Sequence, residues 1–104
     1  MSYTVTIQPD AAAELDEIYA YIALELKNLL DAGRVVGRLE NAILELSDMP
    51  YRAPLARDPR FAIQGVRTLT VGNYIVYYIV DDVVAEVSIV HVAHHLRSTT
   101  RRSR

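Results

Sequence analysis

Apolar residues change period twice along this chain, from strand to helix and back to strand. Tyr3, Val5 and Ile7 alternate with Thr4 and Thr6, which predicts a short strand over Tyr3 to Ile7. Pro9 and Asp10 then open a helix. Ala11, Leu15, Ile18, Tyr19, Ile22 and Leu26 recur at steps of three and four, the period of one helical face. Glu14, Asp16, Glu17 and Glu25 cover the other face, and acids in the first turns suit the positive end of the helix dipole. A break falls near Lys27-Asn28. Asn28 is the expected cap of a second helix, with Asp31 three residues on placed to reciprocate. Val35, Val36, Leu39, Ala42, Ile43 and Leu46 form the second stripe, which ends near Leu46 or Ser47 because Pro50 follows. Neither helix can bury its stripe alone.

Met49 to Phe61 reads as a loop, since it holds Pro50, Pro54 and Pro59. Beyond it the period becomes that of strands. Val66 to Val71 is followed by Gly72-Asn73, a pair suited to a tight hairpin because both residues tolerate positive φ. Tyr74 to Val80 is almost wholly apolar, as in a central strand buried on both faces. Asp81-Asp82 turns the chain, and Ala85 to Val92 forms the last strand. The order βααβββ predicts an α+β fold, an antiparallel-rich sheet with a helical hairpin on one face. Residues 1–97 form one domain. Residues 98–104, STTRRSR, read as a basic, mobile tail.

Composition narrows the classes. The chain has 104 residues, 51% of them hydrophobic, and no Cys. That excludes a disulfide framework and thiolate chemistry, and points to a cytoplasmic site. No apolar run is long enough to span a membrane, and MSYTVTIQPD lacks the features of a signal peptide. The net charge of -2 hides an asymmetry. Residues 1–48 hold nine acids against three bases, net -6. Residues 49–104 hold eight Arg against four acids, net +4. The basic half, which contains the meander, could face nucleic acid or an acidic protein segment.

The arrangement of these pieces resembles the RelE/ParE superfamily of toxins from bacterial type II toxin–antitoxin systems. The resemblance runs through AAAELDEIYAYIALEL, AGRVVGRLENAILELSDMP, GVRTLTVGNYIVYYIVDD and VSIVHVAHHLR. Its most specific part is Gly65-Val66-Arg67 followed by Val71-Gly72-Asn73-Tyr74 and Tyr77-Tyr78-Ile79-Val80. It implies a growth inhibitor neutralised by a cognate antitoxin that wraps it with a helix or extended segment. The implied assemblies are a homodimer or a heterotetramer with antitoxin. RelE-like members cut mRNA in the ribosome, whereas ParE-like members poison DNA gyrase. A fold that binds antitoxin but has lost toxicity is a third outcome.

Cleaving RNA through its 2′-hydroxyl needs a base, an acid and cations on the phosphorane. The RelE pattern places an Arg directly after the Gly-x-Tyr turn, a second Arg past the last strand, and a Tyr beyond it. Here Ile75 takes the first position, Arg97 matches the second, and no Tyr follows Tyr78. The chain also has a single Lys, Lys27. The resemblance therefore favours the ParE-like branch. If the chain is a nuclease, His94, His95, Arg67 and Arg97 are the catalytic candidates, because His transfers protons near neutral pH. On an extended strand His91 and His95 share one face and His94 takes the other. Arg67 could bind a phosphate or an antitoxin carboxylate, or pair with Glu45 or Asp48. His91, Arg97, Arg101 and Arg102 complete the candidate set for binding antitoxin or target. Tyr74, Tyr77 and Tyr78 could stack on bases, although Tyr77 or Tyr78 is expected in the core. No metal or cofactor is expected, since two His do not fill a zinc shell.

Overall fold

The computed structural model describes residues 2–95. β1 (Thr4–Ile7) leads into α1 (Pro9–Ala20), which widens into a π-helical turn (Tyr21–Glu25) before α2 (Leu29–Glu45). α3 (Pro59–Ala62) precedes β2 (Val66–Val71), β3 (Tyr74–Asp81) and β4 (Glu86–His94). The strands lie in the order β1-β4-β3-β2, with β2-β3-β4 antiparallel and β1 parallel to β4. The fold is the α+β arrangement that the hydrophobic pattern predicts, with α1 and α2 packed together against one face of the sheet.

Each helix buries a narrower stripe than its period suggests. Ala11, Leu15, Ile18 and Ile22 of the first helix are in the core, but Tyr19 and Leu26 are exposed. The π-helical turn adds a residue to the cycle and rotates Leu26 off the stripe. Lys27 then ends the helix at φ 53°. Asn28 caps α2 as expected, its Oδ1 accepting the Asp31 N–H at 3.0 Å, but the Asp31 side chain does not reciprocate. Leu39, Ile43 and Leu46 are buried against Val76, Tyr78, Val87 and Ile89 of the sheet.

Three further expectations are corrected. The 49–61 segment is not all loop. Asp58 caps α3, accepting the Arg60 N–H at 2.9 Å, and Pro59 occupies the first turn. β3 is not buried on both faces. Val76 and Tyr78 are buried while Ile75, Tyr77 and Ile79 are only half-buried, because the helices cover one side and α3 touches the other. At the β2–β3 turn only Gly72 takes positive φ, at 59°, so the pair makes the hairpin with glycine in the first central position.

Candidate functional site

The sheet divides the candidate residues between its two faces. Opposed residues of antiparallel strands point the same way. Arg67 pairs with Tyr78 and so lies on the helical face, while Thr68, Thr70, Ile75 and Tyr77 lie on the open face. Tyr77 opposes His91, and Tyr74 opposes His94. The register shifts between Tyr77 and Tyr78, leaving Val90 without an opposite residue. That bulge decides where the histidine goes. Strict alternation from Val87 and Ile89 would turn His91 into the core. The extra residue buries Val92 instead and places His91 on the open face.

Around His91 the open face is aromatic. The His91 and Phe61 rings stand edge-on to Tyr77, with centroids 6.4 Å and 6.1 Å away. Glu14 of α1 reaches the bulge from the side. Its Oε1 accepts the Val92 N–H at 2.8 Å, and its Oε2 lies 3.4 Å from His91 Nδ1. The carboxylate takes the ladder position beyond the end of β1 and blunts an exposed strand edge.

The helical face holds His94, and His95 follows it just past the end of β4. The His94 ring is edge-on to Tyr74 at 5.1 Å, and the His95 N–H donates to the Asn73 carbonyl at 2.7 Å. His94 thus lies across the sheet from His91. Arg67 is on the same side as His94 but four positions along β3, on the order of 13 Å at the rise of a strand. The nuclease set is therefore not brought together among the described residues. Arg97, Arg101, Arg102 and the 98–104 tail lie outside them.

Arg67 has neither of the partners that its sequence suggests. Its Nη1 donates to the Ala53 carbonyl at 2.7 Å, and its guanidinium lies 4.7 Å from the Tyr51 ring centroid. Glu45 is held by Arg52 instead, at 2.9 Å. Tyr51 in turn donates to Asp82 Oδ2 at 2.5 Å, and Tyr3 donates to Oδ1 at 2.8 Å. The bond to Asp82 pushes the Tyr51 phenol up to about 12. The bonds from Tyr51 and Tyr3 hold the Asp82 carboxyl below the usual range. Arg67 thus anchors a polar cluster that ties the β3–β4 turn to β1 and to the segment before α3. Residues 79 positions apart meet there, so no local pattern reveals it.

The strand residues of the open face include no Lys or Arg, since Arg67 is the one such residue in β2, β3 and β4 and it points away. Among the described residues no three His, Cys, Asp or Glu side chains gather into a metal cage. No described helix is long and apolar enough to cross a membrane.

Residues 5–99 match the family model described as the ParE toxin of type II toxin–antitoxin system, parDE. The chain belongs to the ParE toxin family. Solved structures carry the same fold. A chain of the chromosomal ParDE system from P. aeruginosa superposes with a TM-score of 0.73 at 22% identity, covering 89% of this chain and 96% of that one. A chain of the RelBE2 toxin–antitoxin complex from Mycobacterium tuberculosis gives 0.62 at 24% identity, covering 90% and 99%. A mutant RelE toxin from E. coli in the free state gives 0.65 at 16% identity, covering 98% and 93%. No curated protein matches the sequence. The resemblance seen in the meander is thus a ParE family membership that spans nearly the whole chain.

Proposed function

We propose that this ParE family member inhibits growth by binding its target rather than by cutting RNA, that the target is DNA gyrase, and that a cognate antitoxin neutralises it. What carries the reading is the open sheet face. The position after the Gly-x-Tyr turn is the half-buried Ile75, and its neighbours are Thr68, Thr70 and Tyr77 rather than cations. A phosphorane needs positive charge within hydrogen-bonding reach, and these side chains supply none. Thr, Ile, Tyr and Phe61 suit contact with a protein surface instead.

Purified toxin should block supercoiling by gyrase in vitro and arrest growth when expressed without antitoxin. Untouched supercoiling at growth-inhibiting concentrations would sink the gyrase assignment. New 5′ ends on translated mRNA, lost in a His94→Ala, His95→Ala double variant, would establish the nuclease reading in its place. Expression without arrest, together with tight antitoxin binding, would mark a fold that keeps only its partner.

A further inference from the structure

Arg52, Arg60 and Arg67 are each held by a carboxylate or a carbonyl. Arg34, Arg38 and Arg57 have no hydrogen bond or salt bridge among the described residues, and of the three only Arg38 of α2 lines a cleft. It opens onto a cleft of about 100 Å³ between α2 and the β2–β3 turn, lined by Val35 and Leu39 on one side and by Val71, Gly72, Asn73 and Tyr74 on the other. A Cβ placed on Gly72 would lie 3.7 Å from Arg38 Nη1, so the guanidinium sits over the bare turn. His94 stands edge-on to Tyr74, one of the lining residues.

We propose that this cleft is a carboxylate subsite that takes one Asp or Glu side chain from an otherwise apolar segment of the antitoxin. The proposal rests on the antitoxin-binding reading above and names a contact within it. A guanidinium presents a planar fork of donors that matches a carboxylate, and such charge-assisted bonds are the stronger kind. Val35, Leu39 and Val71 flank the guanidinium, which itself stays exposed to solvent. The same side chains bury the residues that flank the acid.

Charge selects the occupant. Residues 1–48, which hold both helices, carry net -6, with Asp31 and Glu40 on α2 itself. A nucleic acid laid over Arg38 would bring a row of phosphates against those acids. A single carboxylate on an apolar peptide meets the guanidinium and avoids them.

The test is calorimetric titration of the purified toxin with its cognate antitoxin, the product of the reading frame adjoining its gene. Arg38→Gln should weaken binding about tenfold or more, and Arg38→Glu further, with unfolding midpoints unchanged because Arg38 is exposed. Replacing the antitoxin's matching acid by Lys should restore binding to the Arg38→Glu toxin. Wild-type binding with Arg38→Glu within twofold of it would overturn the subsite and leave the antitoxin reading standing. No binding by the wild type would overturn both.

Discussion

Tyr78 offers a test of a single hydrogen bond in the core. It is fully buried, and its hydroxyl donates to the Pro50 carbonyl at 2.8 Å. Pro50 is also buried, so no water stands ready to replace the donor. Tyr78→Phe removes one oxygen and leaves the ring packed, so the cavity term is small. What remains is the lost bond plus an orphaned buried carbonyl, together about 1–3 kcal/mol. Burial also pushes the Tyr78 phenol up, which favours the protonated, donating form. Urea unfolding followed by circular dichroism reads the effect as a lower midpoint at unchanged slope. In a domain of this size each kcal/mol lowers the melting temperature by about 4–8 °C. Tyr77→Phe is the control, since Tyr77 is half-buried on the open face, and it should cost less than about 0.5 kcal/mol. A Tyr78→Phe loss no larger than the control's would refute the argument that this bond ties the 50–53 segment to the sheet.

Leu39, 1% exposed, should cost about 2–5 kcal/mol when cut to Ala, and a denaturation shift below about 1 kcal/mol would count against packing of the hairpin on the sheet. Ala85 sits at φ 55°, a conformation that favours glycine, so Ala85→Gly should gain about 0.5–1 kcal/mol in the same assay; a loss would show that the turn is not strained. The Asp82 cluster should shape stability at both ends of the pH scale. Tyr51 is raised from 10.0 to about 12, so the native state holds that proton more tightly. Its contribution is complete below pH 10 and fades as pH rises towards 12. Asp82 is lowered from 3.8, so its contribution is complete above that value and fades as pH falls below it. Asp82→Asn should flatten both limbs of a plot of urea midpoint against pH and return Tyr51 towards 10 in an ultraviolet titration. Unaltered limbs would break the assignment.

What could be read from the sequence was what depends on near neighbours. The stripes through Leu15 and Ile18 and through Leu39 and Ile43, the Asn28 cap and the Gly72 turn each follow from residues a few positions apart. α3 carried its own signal, Asp58 followed by Pro59, which the surrounding prolines masked. The Val90 bulge left no such mark, because alternation cannot show which residue of a strand is the extra one. Only the competition between Val92 and His91 for the core explains it. Glu14 on Val92, Tyr3 and Tyr51 on Asp82, and Arg38 over Gly72 join positions between 31 and 79 residues apart. A one-dimensional pattern records none of these. The candidate site suffers most, since it is built almost wholly from such contacts.

The parallel pairing of Thr4 with Glu86 also sets an order of events. The first strand leaves the ribosome long before β4, its one partner among the described residues, has been made. Until residue 89 has emerged, β1 has no ladder, and Val87 and Ile89 are missing from the surface that the two helices cover. Closing a loop of this length is slow compared with helix formation. The growing chain therefore passes through a stage at which the helical hairpin exists and the rest of the molecule does not. The sheet would thus be closed last at β4, the strand that joins β1 to the β2–β3 hairpin.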